Sequence, residues 1–309
     1  MVELKWVSDR YKVISRLGSG GSSRVYLAKD MKDPEQNPVA VKLLGSLSDG
    51  DRDLLRELYT REAQALSMLN HPRIVRLLDH GQDAESGILY LVLEYVERAE
   101  TLRDRLPKWS PEPDQCLDLL IELLRAVKYA HQLHIIHRDL NPSNILMDSN
   151  GEAKIIDFGT SKILGNINEG QTVGDLYTRT YASPEQIAGR DATYASDIYS
   201  LAAVLYFMLG RQDPHPAKSL ALQFDSLSTI PSPILRVAQR MASANLRERY
   251  QSAHQAMLAL EAARDEMAGS SQILCVQITK NVVRSLGEQL VTRTQDSVEA
   301  RNVVQKALY

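Results

Sequence analysis

The spacing of apolar residues predicts an α+β chain in two unequal lobes, a small β-rich lobe over about 11–96 and a larger, mainly helical lobe over about 97–266. Up to residue 96 the apolar residues alternate in short runs broken by Gly and Ser, the pattern of half-buried strands. After Pro113 they recur three and four apart over long stretches, the pattern of amphipathic helices. No internal repeat or low-complexity tract interrupts either part.

Taken in order, residues 1–10 are a lead-in, and YKVISRLGSGGSSRVYLA (11–28) reads as two strands around a glycine-rich turn. A strand follows at Val39–Leu44, and residues 51–70 have helical periodicity. Val75–Leu78 and Leu89–Tyr95 read as further strands, with the lobes joined near 94–102. Residues 115–134 form a long amphipathic helix pattern, short strands are expected around Ile145 and Ile155, and 160–180 is loop-like. Helical patterns return at 196–209, 233–243 and 252–266. MAGSS (267–271) has the composition of a linker, and beyond it lie a strand candidate, ILCVQI, and two helix candidates with Asp296 as an N-cap. In that extension Val276, Val283 and Leu290 are seven apart, a stripe that needs a surface to cover it.

Composition narrows the function classes. The chain has 309 residues, 44% apolar and 24% charged, within the range of ordinary globular proteins. Thirty-six basic against 39 acidic side chains favour neither nucleic acid nor an anionic membrane as a partner. The N-terminus lacks the apolar core of a signal peptide, and Leu201–Leu209 falls short of the ~18 apolar residues a membrane helix needs. A soluble, cytoplasmic protein is therefore expected. Cys116 and Cys275 are too few and too far apart for a disulfide framework and read as buried small hydrophobes. The seven histidines have no HxxxH or CxxC company, so no zinc site is expected.

Four short stretches carry chemistry. Gly18-Ser19-Gly20-Gly21-Ser22-Ser23 lies between strands, where glycines let backbone N–H groups approach phosphate oxygens. Alone, it is more simply a hairpin turn. Lys42 sits inside an apolar strand, so it needs a partner carboxylate unless the strand is an edge with the ammonium in solvent; Glu62 on the next helix is the natural candidate. His137-Arg138-Asp139 with Asn144, and Asp157-Phe158-Gly159, each place an aspartate after an apolar run, in a setting where simple turn capping is common. Together they supply one carboxylate for a substrate hydroxyl, and a carboxylate plus an amide as oxygen ligands for a hard cation.

The order GxG, VAVK, Glu, HRDxxxxN, DFG, SPE resembles the serial pattern of protein kinases, from about Tyr11 to Glu261. That resemblance implies the bilobal protein kinase fold, ATP and Mg²⁺ as cofactors, and phosphoryl transfer to a protein substrate. It makes Leu17, Gly18, Ser19, Gly20, Gly21, Ser22 and Ser23 the phosphate cover. Val25 and Ala40 would roof the adenine, Leu146 would floor it, and Leu93 with the hinge Glu94–Val96 would edge it. Lys42 would hold the phosphates, oriented by Glu62; Asp139 would be the base; Asn144 and Asp157 would bind Mg²⁺. Glu185 is expected to pair with Arg249, and Asp197 to organise the catalytic loop, as structural contacts. SPEQ, RERYQSA and the Gly20-Gly21 pair look most like the bacterial Ser/Thr branch, and Pro142 and Thr178 favour Ser/Thr over tyrosine. Arg138 resembles the arginine of kinases switched on by an activation-loop phosphate, with Thr172 as candidate acceptor and Thr160 and Ser161 behind it.

This sequence also departs from the pattern. Ser23 replaces a glycine, Tyr177 and Arg179 flank Thr178 where glycine and proline are usual, and residues 211–233 are short for a substrate-docking helix. Asn141 stands where the family has a lysine that neutralises the transferred phosphate. Losing such a charge costs about 3 kcal/mol, roughly two orders of magnitude in rate, which predicts a slow but active kinase that autophosphorylates. The alternative is a nucleotide-binding pseudokinase acting as a switch or scaffold. Residues 267–309 are either a structural extension or a surface for a partner or self-association.

Overall fold

In the computed structural model, residues 5–19, 23–44, 52–84, 86–158, 180–227 and 230–267 are described. The small lobe is a six-stranded antiparallel sheet in the order β1-β2-β3-β4-β6-β5. Its strands are β1 (Trp6–Val7), β2 (Tyr11–Ser19), β3 (Ser23–Asp30), β4 (Pro38–Leu44), β5 (Leu77–Gln82) and β6 (Leu89–Glu94). The helix α1 (Arg52–Met68) packs against β5 and β6. The lead-in thus belongs to the sheet in part: Trp6 and Val7 pair with Lys12 and Tyr11, and Arg10 ties the turn down by bonding Asp30 and Asp79.

β4 lies inside the sheet, hydrogen-bonded to β3 on one side and β6 on the other, which removes the edge-strand reading of Lys42. Strand side chains alternate in direction, and here the alternation sorts two environments. Val39, Val41 and Leu43 join Tyr90 and Val92 in a core on one face. Ala40, Lys42 and Leu44 point to the other face, the one that meets α1 and the large lobe.

The expected strand at Val75–Leu78 lies farther along, at Leu77–Gln82. Ile74 and Val75 are buried for a different reason: they bond to the large lobe. Val75 N–H reaches the Ile155 carbonyl at 2.9 Å and Ile155 N–H reaches Arg73 O at 2.9 Å, a short parallel bridge that satisfies both backbones.

The large lobe is built on two long helices, α3 (Pro113–Gln132) and α5 (Tyr194–Gly210). α3 starts two residues before its apolar periodicity because Pro113 occupies the first turn and Glu112 and Gln115 close a capping box. Nearly every residue of α5 is buried, so it acts as a central post rather than an amphipathic surface helix. Around it lie α2 (Leu102–Arg105), α4 (Pro184–Ile187), α6 (Leu220–Gln223), α7 (Ser232–Met241) and α8 (253–267). A three-stranded sheet, β7 (Glu100–Thr101), β8 (Ile145–Met147) and β9 (Ala153–Ile155), faces the small lobe. Among the described residues, no helix is long and apolar enough to cross a membrane. Cys116 is buried in the core, which pushes its thiol up to about 11. Cys275 and the extension from 268 lie outside the described residues.

Two buried charges hold the large lobe together. Arg249, 1% exposed, donates to both carboxylate oxygens of Glu185 at 2.8 and 3.2 Å and to the Ala195 carbonyl at 2.9 Å. Burial pushes the Glu185 carboxyl up, but hydrogen bonds from Arg249 and Ser196 outweigh it and bring the pKa down to about 2. A depressed carboxyl contributes stability above its ordinary pKa of 4.5 and loses it as pH falls toward 2. Arg249→Met should therefore destabilise the fold by about 3–5 kcal/mol at pH 7, since it strands a buried carboxylate. Urea unfolding at pH 7 and pH 3 should show the gap between variant and wild type narrowing in acid.

Candidate active site

A cleft of about 520 Å³ separates the lobes. Leu17, Gly18, Val25 and Ala40 line its upper wall, Leu146 and Ile156 its lower wall, and Leu93 to Val96 its back edge. The walls are apolar, while the mouth is polar, with Glu100, Thr101, Asp104 and Lys108. Bulges in β2 after Val13 and after Arg16 bend the strand whose end carries Leu17 and Gly18. Glu94 turns its carboxylate away from the cleft, onto Lys154 at 2.7 Å and the Arg76 N–H at 3.0 Å. Ser23 is not among the lining residues, and Gly20, Gly21 and Ser22 lie outside those described. Val75, Ala99 and the polar mouth lie in segments without a motif of their own, and Ile156 sits one residue before the Asp157 motif, so the sequence does not single them out for the cleft.

At the inner end of the cleft, Lys42 Nζ donates to Glu62 Oε1 at 2.9 Å and to Asp157 Oδ1 at 2.7 Å. Lys42 is 4% exposed and Glu62 1%. Burial on its own would strip the proton from Lys42; Asp157 and Glu62 overrule it and hold the pKa above the ordinary lysine value. The same ammonium holds Asp157 below the ordinary carboxylate value despite burial. Asp157 adopts a φ of 62°, a left-handed conformation that aspartate tolerates better than most residues.

Asp139 faces this group from the segment between α3 and β8. Its Oδ2 accepts from Asn144 Nδ2 at 2.9 Å and its Oδ1 from Asn141 Nδ2 at 3.1 Å. Burial pushes its carboxyl up to about 7; the two amides and Lys42 pull the other way, and Asp157 adds repulsion. The segment is held by Asp197 at the start of α5, whose carboxylate accepts from the N–H groups of His137 and Arg138, both at 2.9 Å, and from His131 Nε2 at 2.8 Å. Arg138 takes a φ of 72° at this anchor. His137, wholly buried and kept neutral by that burial, bonds the Ile156 carbonyl at 2.9 Å, and its ring packs on Phe158.

Oxygen groups fit for a hard cation are present: the Asn144 side chain and the Asp157 carboxylate, 8% exposed and part-buried respectively. Gly159, Thr160, Ser161, Thr172 and Thr178 lie outside the described residues.

One cluster was not foreseen from sequence. Arg103 on α2 grips Asp213 at 3.0 and 3.2 Å and donates to Ser143 Oγ at 3.1 Å, while the Tyr181 hydroxyl donates to Asp213. Its guanidinium also lies over the Tyr181 and Phe207 rings. Four segments far apart in sequence meet here beside the Asp139 segment, and no local pattern could announce it.

The residues 11–277 match the family model described as protein kinase domain. The serine/threonine-protein kinase PrkC of Bacillus subtilis is 38% identical over 216 residues, 70% of this chain and 32% of that protein. PknB of Mycobacterium leprae is 39% identical over 213 residues, 67% of this chain and 33% of that protein. The chain therefore matches roughly a third of the length of these relatives. In structure, the kinase domain of Mycobacterium tuberculosis PknI aligns with a TM-score of 0.68 at 22% identity, over 86% of this chain and 100% of that one.

Lys42→Met removes the cation shared by Glu62 and Asp157, and the buried Glu62 should take up a proton in its place. Equilibrium titration with a fluorescent ATP analogue should show affinity reduced at least about tenfold, the scale of losing one charged hydrogen bond.

Proposed function

The chain belongs to the protein kinase family, and we propose that it is an ATP-dependent protein serine/threonine kinase, with autophosphorylation among its reactions. One observation carries the reading: Lys42 bridges Glu62 and Asp157 at the inner end of the cleft, near enough to Asp139 that the charges of Lys42 and Asp157 both act on its carboxyl. The lysine–glutamate pair and the aspartate beyond it must both be in place for phosphoryl transfer in this family. The names of the relatives support serine and threonine as acceptors.

In this reading the adenine lies between Val25 and Ala40 above and Leu146 below, against the hinge, and the ribose meets the polar mouth. Lys42 holds the phosphates. Asn144 and Asp157 would hold Mg²⁺, which when bound neutralises phosphate charge. A hard cation of this kind takes oxygen ligands and keeps phosphate and water in its remaining positions. Asp139 accepts the proton of the substrate hydroxyl as its oxygen bonds to the γ-phosphorus, and the bond from that phosphorus to the bridging oxygen breaks to release ADP. The intact set of lysine, glutamate, base and metal ligands favours this over a pseudokinase.

Regulation forms part of the proposal. A phosphate on Thr172 would be received by Arg138, with Thr178 serving the substrate side, and 267–309 would either extend the large lobe structurally or engage a partner or a second copy. Mass spectrometry of active protein should find Thr172 phosphorylated; an active, unmodified Thr172 would remove this element.

Asp139→Asn should abolish transfer from γ-labelled ATP while ATP binding persists. An Asp139→Asn variant as active as wild type would sink the assignment of the base. Transfer needs the carboxylate free of its proton, and the folded pKa is about 7. The value of kcat/KM, which reports the free enzyme, should rise with pH through about 7 and level off above it.

A further inference from the structure

We propose that Asn141 is a positioning residue for the base Asp139 and does not stand in for the missing lysine at the phosphate. The inference rests on the kinase reading above and concerns how that site works without a charge at position 141.

The Asn141 side chain is 6% exposed and fully occupied within its own loop. Its Oδ1 accepts from the Ser143 N–H at 2.9 Å, capping the short 3₁₀ turn Pro142–Asn144. Its Nδ2 donates to the Asp139 carbonyl and to Asp139 Oδ1, both at 3.1 Å. An amide has two N–H donors and one carbonyl acceptor, so each has a partner inside the loop. Reaching a phosphate would mean surrendering bonds made in a buried site, where unmade bonds are costly.

Asn144 makes the matching contact from the other side, donating to the Asp139 carbonyl at 2.8 Å and to Oδ2 at 2.9 Å. The two amides therefore hold one oxygen each and fix the rotation of the carboxylate about its Cβ–Cγ bond. Proton transfer in the transition state is sensitive to that orientation. Asn144 alone would leave the other oxygen without a donor and the carboxylate free to turn.

Asn141→Ser separates the two jobs of this side chain. A serine hydroxyl is a good N-cap acceptor for the Ser143 N–H, so the turn stays capped, but it is one bond too short to keep the contact with Asp139 Oδ1, and it adds no second carboxylate beside the base. Asn141→Ala loses both. We would measure kcat and KM for Mg-ATP with casein as a generic acceptor, melting temperature, and affinities for ATP and ADP separately by calorimetry. The proposal expects kcat to fall at least about tenfold in both variants, the scale of a mispositioned base. It also expects the melting temperature of Asn141→Ser to stay near wild type, and the ratio of ATP to ADP affinity in Asn141→Ala to be unchanged.

Asn141→Ser with wild-type kcat would reduce the residue to a cap and overturn the proposal. So would an Asn141→Ala variant that loses ATP affinity while keeping ADP affinity, because that places the amide on the γ-phosphate. A wild-type protein that binds ATP but never transfers it would defeat the kinase reading instead. In that case the ATP to ADP ratio still decides whether Asn141 touches the phosphate.

Discussion

The rest of the site hangs on the carboxylate of Asp197. It is 1% exposed, sits in the first turn of the central post α5, and accepts three hydrogen bonds from His131 and from the backbone of His137 and Arg138. A carboxylate buried this deeply must be fully hydrogen-bonded, and two of its donors are backbone groups with no rotamer freedom. The chain is thereby fixed where it turns through Arg138 at a φ of 72°, immediately before Asp139. His131 brings the end of α3 to the same point, and Tyr194 stacks on its ring. One side chain thus joins two helices to the segment that carries Asp139.

From there the constraint passes upward through backbone contacts. His137 bonds the Ile156 carbonyl, and Ile155 bridges to Arg73 and Val75 in the small lobe. Asp157, next in the chain, meets Lys42. The lysine points there because β4 is interior and its alternate residues face opposite ways, so Val41 and Leu43 enter one core while Lys42 enters the cleft. Shifting the register by one residue would send the ammonium into an apolar core. The pairing of β4 between β3 and β6 is therefore as much a part of the site as the charges are.

Much of this was legible in the sequence, for identifiable reasons. A lysine inside an apolar strand calls for a carboxylate, and the next helix offers Glu62 at the right place. Motifs within a few residues of one another, such as HRDxxxxN, carry their geometry with them because the loop is short. The strand expected at Val75–Leu78 was misplaced because burial there comes from bridging to Ile155, which looks the same in an apolar pattern as sheet pairing. The cluster of Arg103, Asp213, Tyr181 and Ser143 was invisible, since Arg103 and Asp213 are 110 residues apart and each alone reads as a surface charge. Asn141 is legible as a departure from the family pattern but not as a participant, because the direction of its donors toward Asp139 is set by the turn of the loop and not by the residue types.

That inward orientation changes how charge is shared in the cleft. A lysine at 141 would bring a positive charge beside the base and so lower its pKa and neutralise phosphate at once. The amide brings no charge: its hydrogen bond pulls the Asp139 carboxyl down, but burial outweighs it and leaves the carboxyl raised to about 7. Among the residues that line the cleft the cations are Lys42 at the inner end and Lys108 at the mouth, and Lys108 is engaged by Glu100 at 3.0 Å. In the kinase reading, neutralising the transferred group therefore falls to Lys42 and to the cation held by Asn144 and Asp157. The site gives up one fixed charge and retains a base whose two oxygens are each held by an amide. Orientation is preserved where electrostatic stabilisation is reduced, and these are separable contributions to the same barrier.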